Sequence, residues 1–272
     1  MMLLQEPVHS PYDLQFRLLG FPVRVAWSFW LVGVMFGYRL VQDIDFLLIR
    51  AGDVSPGMIP LLVLWTLSIF VSILIHEIGH AIAFRCYGFE SSIVLYHFGG
   101  LAIPRRSSSY QSSSDSVTPL QQIVISFAGP FAQIFSAFVV GAIVVAMGYR
   151  LIVLQWMPSP FQLIPGVMEG KPLLTESPGL FAIVTMYLLP SVLWALLNLL
   201  PVWPLDGGRI ARAVIVLFGG NLMQALWVSV IAAALCAAYG FANGQQYLGI
   251  MFLILGVSSF QAIRQLGGMQ TF

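Results

Sequence analysis

The chain has 272 residues, of which 58% are hydrophobic and only 8% charged, and its formal net charge is +1. Soluble domains carry about 25% charged residues, so this composition excludes an ordinary soluble protein and predicts a polytopic one with the lipid bilayer as partner. Near-neutral charge leaves no electrostatic footprint for nucleic acid, and none is expected to bind.

The first sixteen residues hold Glu6, Asp13 and two prolines. They lack the basic flank, apolar run and cleavage site of a signal peptide, so the first span is expected to be retained. "GFPVRVAW" (20–27) alternates and predicts a short strand. A transmembrane helix needs about 20 mostly apolar residues. Six segments qualify, at about 26–49, 58–84, 119–148, 179–200, 221–241 and 245–263. The first is the weakest, interrupted by Arg39, Asp43 and Asp45. "SSIVLYHFGGLAIP" (91–104) is apolar, β-branched and broken at Gly99-Gly100, which predicts a hairpin or re-entrant loop. The serine-rich stretch after it reads as a polar linker. Residues 149–178 contain five prolines and predict a long irregular loop with an interfacial piece, "LIVLQWM". Cys86 and Cys236 lie in apolar, helix-like contexts, with neither a disulfide framework nor zinc-cluster spacing. There is no internal repeat and no separate soluble domain. The expected fold is an all-α polytopic membrane protein with a small β-hairpin, one membrane-embedded domain over 1–272. With the N-terminus in the cytoplasm, short cytoplasmic loops hold eight Lys/Arg and outer ones four. That bias favours cytoplasmic termini, and it puts the end of the second segment on the cytoplasmic side.

The second segment ends in His76-Glu77-Ile78-Gly79-His80. On a helix, residues four apart share a face, so both imidazoles can reach one metal ion. Glu77 can reach water beside it. The plain alternative is a chance motif with core histidines. Ionisable residues inside a span cost a few kcal/mol each and are functional by default, which disfavours it. Catalytic zinc normally has three protein ligands and one open position, so a third ligand is expected elsewhere. Asp206 stands out in "LLNLLPVWPLDGGRIARAVIVLF". Pro201 and Pro204 end one helix and Asp206 stands where the next begins, in an N-cap position. Irregular backbone at membrane depth is tolerated only where it is buried or lines a cavity. Asp206 therefore reads either as a helix cap or as the third ligand. His97, in the hairpin, reads as a polar lining residue, since a fourth protein ligand would close the site.

These residues together resemble the site-2 protease family of intramembrane zinc metalloproteases. That family carries HExxH on one span and an N-x-x-P-x-x-x-LDG motif on a later one, matched here by His76–His80 and by Asn198–Gly207. Trp203 replaces the usual small residue or proline, and Gln133, after "SFAGP" (126–130), stands where an asparagine is common. The resemblance covers about 20–215, leaving additional helices at about 221–263, and it fits the compact type without a PDZ or nucleotide-sensing domain. It implies a single catalytic Zn2+ held by His76, His80 and Asp206, with Glu77 as general acid/base. It further implies that Asn198 contacts the substrate backbone or the developing oxyanion. A helix–helix hydrogen bond is the competing role for Asn198. The hairpin with Gly99 and Gly100 is expected either to receive an unwound substrate by strand addition or simply to pack.

The implied activity is cleavage of membrane-tethered proteins in or near their transmembrane segments, such as the release of a tethered regulator. Two rivals stand beside it. One is a membrane metalloprotease of the prenyl-protein or stress type. Those take a glutamate as third ligand, whereas Glu90, Glu169 and Glu176 look loop-borne. The other is a silent binding protein of the same fold, against which the intact Glu77 argues.

Overall fold

The computed structural model describes residues 8–52, 55–97, 99–105, 117–157 and 169–269. Among these, five helices are long and apolar enough to cross a membrane. They are α2 (Met58–Cys86), α3 (Pro119–Ala146), α5 (Pro178–Asn198), α7 (Leu222–Ala242) and most of α8 (Gln246–Met269). The first expected span does form a helix, α1 (Trp27–Arg50), but it is not one of the five. Arg39, Asp43, Asp45 and Arg50 make its second half too polar. Its buried residues, Phe29, Gly33, Gly37, Val41, Ile44 and Leu48, recur every three or four positions and form one stripe. α1 packs on α2, where the Trp65 indole donates to the Gly33 carbonyl at 2.8 Å.

The β part is larger than the expected hairpin. Four strands form one sheet in the order β1 (Leu14–Leu18), β2 (Phe21–Val25), β3 (Glu90–Tyr96) and β4 (Gly99–Arg105). β1 and β2 are antiparallel around Leu19-Gly20, both with positive φ, the geometry of a two-residue hairpin turn. β2 runs parallel to β3, pairing Val23 with Ile93 and Val25 with Leu95. A parallel pair needs a long crossover, and here the crossover is the α1–α2 helix pair. β3 and β4 form the expected hairpin, with Tyr96 opposite Gly99 and Leu95 opposite Gly100. β2 is the strand expected at 20–27, and β1 was not expected. The ion pair between Arg24 and Asp13, 3.1 Å long and almost wholly buried, ties this sheet to the chain before it.

The proline-rich region holds a two-stranded parallel pairing of β5 (Tyr149–Arg150) with β6 (Lys171–Pro172). "LIVLQWM" begins a short 3-10 turn at Ile152–Trp156, and α4 (Leu173–Glu176) follows β6. Residues 158–168 and the serine-rich linker lie outside the described residues. Both cysteines are free thiols.

The described residues fall into two compact units. One takes those between 6 and 106 and between 131 and 195, and so holds the four-stranded sheet, α1 and α2. The other takes those in 107–130 and 196–272, and so holds α6 (Asp206–Leu217), α7 and α8.

In this second unit α7 and α8 form a helical hairpin. The loop after α5 presses Val202, fully buried, against Ala233, Ala237, Phe252 and Leu255. Two buried serines fix the loop's backbone. The Trp203 N–H donates to Ser229 Oγ at 2.7 Å, Ser229 and Ser259 hydroxyls are 2.8 Å apart, and Ser259 donates to the Leu255 carbonyl at 3.0 Å. Ser229→Ala leaves the Trp203 N–H without its acceptor. It is expected to destabilise the protein by about 1–3 kcal/mol, read as a lower thermal midpoint in detergent. An unchanged midpoint would show that the serine pair does not hold the loop.

Candidate metal centre

α2 is apolar along nearly its whole length, and its polar residues other than Arg85 in the last turn are buried. His76, Glu77 and His80 retain only 2%, 4% and 6% of their accessible surface. The helical spacing stacks the two imidazoles, with ring centroids 4.8 Å apart and planes at 76°. Their Nε2 atoms approach to 3.1 Å. Two nitrogens each about 2.0–2.1 Å from a tetrahedral zinc ion stand about 3.3 Å apart. The pair therefore fits one metal ion without moving either backbone.

The β3–β4 hairpin lies against this part of α2. The β4 backbone comes so close that a Cβ on Gly100 would overlap the Glu77 side chain. Gly99 has φ +113° and a Cβ there would run into the Trp194 ring of α5. Glycine is thus required twice in succession. Gly99 supplies a backbone conformation closed to other residues, and Gly100 lets the strand touch the carboxylate. His97, in the hairpin turn, meets Ser28 through Nδ1 at 3.2 Å. Burial lowers its pKa from the ordinary imidazole value, which favours the neutral ring.

Behind His76 lies a polar cluster that the sequence reading did not assemble. His76 Nδ1 is 2.9 Å from Gln133 Oε1 on α3, and Gln133 Nε2 is 2.7 Å from Ser72 Oγ. Ser72 Oγ in turn is 2.8 Å from Ser191 Oγ on α5. Ser72, Gln133 and Ser191 have no accessible surface. Their signal in the sequence is that each is a polar residue inside an apolar span.

The other sequence-selected residues belong to the second unit. Asn198 is the last residue of α5, and Asp206 is the first of α6. The N-cap position falls to Leu205, not to Asp206 as expected. Asp206 is buried, with 7% of its surface accessible. Between the two, the chain makes tight turns closed by Val202 N–H to Leu200 O at 2.7 Å and Leu205 N–H to Val202 O at 2.8 Å. A Cβ on Gly207 would overlap the Leu199 and Leu200 carbonyls, and one on Gly208 would clash with the Val202 and Trp203 backbone. The Asp-Gly-Gly sequence thus lets the first turn of α6 press against the broken segment, which buries Asp206.

The buried His76–Glu77–His80 set lies within an apolar helix long enough to cross a membrane. The chain belongs to peptidase family M50, whose model matches residues 64–239, from within α2 to within α7. The Synechocystis sp. protein sll0528, named as a zinc metalloprotease, is 29% identical over 90% of this chain and 54% of its own length. Mycobacterium tuberculosis Rip3, named in the same way, is 26% identical over 93% of this chain and 53% of its own. The zinc metalloprotease MJ0392 of Methanocaldococcus jannaschii is 30% identical over 54% of this chain and 33% of its own. The chain spans about half the length of the first two relatives. The solved site-2 protease from Methanocaldococcus jannaschii aligns over 93% of this chain and 95% of that one, at 20% identity and a TM-score of 0.48.

The closeness of Gly100 to Glu77 yields a test. Gly100→Ala is expected to displace the Glu77 side chain while leaving the histidines in place. Peptidase turnover should fall at least about tenfold with zinc content unchanged. Unchanged turnover would mean that the strand's approach to Glu77 does not matter.

Proposed function

We propose that the protein is an intramembrane zinc endopeptidase that hydrolyses peptide bonds in or near the transmembrane segments of membrane-tethered proteins. The observation that carries this reading is the buried His76–Glu77–His80 set within an apolar helix, its two Nε2 atoms 3.1 Å apart. His76, His80 and Asp206, each buried and each offering one ligand atom, are the ligands of one zinc ion in this reading. Two imidazoles and a carboxylate suit zinc and leave a fourth position open. Zinc in such a site would lower the pKa of a bound water to about 7 and polarise a carbonyl.

The chain's own groups perform the rest. Glu77 takes a proton from the attacking water and passes it to the leaving amine, as one carboxylate acting first as base and then as acid. Asn198 donates its amide to the substrate backbone or to the oxygen that gains charge. The substrate must be extended, because a helix hides its carbonyls in its own hydrogen bonds. β4 is an edge strand of the sheet and touches Glu77 at Gly100, so strand addition there would bring an unwound peptide to the carboxylate. The whole of 1–272 acts as one membrane-embedded domain, with both termini and the site toward the cytoplasm. A tethered regulator is the fitting substrate class.

Two substitutions test the assignment. Glu77→Gln should keep zinc and lose about 10²–10⁴-fold in cleavage of a membrane-tethered reporter, measured in vesicles. Retained cleavage would overturn the mechanism and favour a silent fold or another chemistry. Asp206→Ala should lose zinc as read by metal analysis. Full zinc occupancy would remove Asp206 from the ligand set.

A further inference from the structure

We infer that Gln133 is a positioning residue that fixes the tautomer of His76, at the head of a buried hydrogen-bond chain that runs through Ser72 and Ser191 to α5. The inference rests on the metal reading of His76 and concerns how that ligand is prepared.

The chain contains four hydrogen bonds. The Tyr187 carbonyl is 2.6 Å from Ser191 Oγ, which is 2.8 Å from Ser72 Oγ. Ser72 Oγ is 2.7 Å from Gln133 Nε2, and Gln133 Oε1 is 2.9 Å from His76 Nδ1. The three intermediate side chains are wholly buried, so no water can substitute for a missing partner. A carbonyl only accepts. Ser191 Oγ is placed as donor to the Tyr187 carbonyl and to Ser72 Oγ, and Ser72 Oγ accepts from the Gln133 amide. That places the Gln133 amide nitrogen toward Ser72 and its oxygen toward His76. The oxygen can only accept, so His76 carries its proton on Nδ1. A neutral imidazole protonated there has its lone pair on Nε2, the atom that faces His80.

If the Gln133 amide were flipped, Ser72 Oγ would lose the amide proton it accepts and would have to donate its own. His76 would then be protonated on Nε2 and could not bind metal through that atom. A second bridge holds the relay's frame in register. Ser136 Oγ donates to the Gln133 carbonyl at 2.7 Å and pairs with the Tyr187 hydroxyl at 2.8 Å. Partners behind a ligating histidine fix its tautomer and orientation, and their loss typically costs 10–100-fold in metal affinity.

The tautomer can be read without metal. The chain contains four histidines, so 15N spectra of the metal-free full chain at pH 8 can be assigned by single substitutions. Wild type should show the His76 proton on Nδ1. Gln133→Leu and Ser72→Ala should move population to Nε2, whereas Gln133→Glu, which still accepts from Nδ1, should not. Zinc competition against a chromophoric chelator should show about 10–100-fold weaker binding for Gln133→Leu and near-wild-type binding for Gln133→Glu. Melting curves serve as the folding control, and Ser72→Ala carries the test if Gln133→Leu does not fold. A wild-type His76 protonated on Nε2, or a folded Gln133→Leu that binds zinc as tightly as wild type, would overturn the inference. A Gln133-dependent Nδ1 proton in a chain that binds no zinc would support the relay and refute the metal reading instead.

Discussion

Polar groups at membrane depth have no water to bond, so each must find its partner inside the protein. That constraint governs this chain more than any single contact. α2 buries two imidazoles and a carboxylate in an otherwise apolar helix. The elements around it are arranged to satisfy them. α3 brings Gln133 to His76, α5 brings Ser191 to Ser72, and the hairpin brings the Gly100 backbone to Glu77.

The same device is used in both units. Buried polar groups are linked through serine hydroxyls to a helix carbonyl. In one unit the path runs from His76 through Gln133, Ser72 and Ser191 to Tyr187. In the other it runs from the Trp203 N–H through Ser229 and Ser259 to Leu255. Serine suits this role because its hydroxyl both accepts and donates and is small enough for close helix packing. The first path serves a candidate metal ligand directly. The second serves the broken segment that leads into Asp206.

Much of this was legible in the sequence because the signals are local. His76 and His80 declare themselves by spacing, and the proline-broken segment before Asp206 by the violation of a helical run. The long apolar helices follow from composition alone. α1 was harder, since its apolar first half suggests a span while Arg39, Asp43 and Asp45 keep the helix off that set. β1 was missed although "LQFRL" alternates and is followed by a Leu-Gly turn. Its partner β2 in turn pairs with a strand nearly 70 residues later, which no local pattern reveals. Gln133 was visible only as a departure from an expected asparagine. Its bond to His76 joins residues 57 positions apart, so its role needed the packing of α3 on α2.

The parallel pairing of β2 with β3 also acts as a ruler. β3 begins four residues after α2 ends, so the sheet anchors that end of the helix. His80 lies six residues from Cys86 and His76 ten, which is about 9 and 15 Å at 1.5 Å per residue. The full helix is 29 residues, about 43 Å long, against a hydrocarbon core of about 30 Å. The depth of His76, Glu77 and His80 along the helix is therefore written in chain length. Each residue added between His80 and Cys86 would move them about 1.5 Å further from the sheet and turn them by about 100°. The sheet thus does more than pair strands: it sets how far along its helix the Glu77 carboxylate stands.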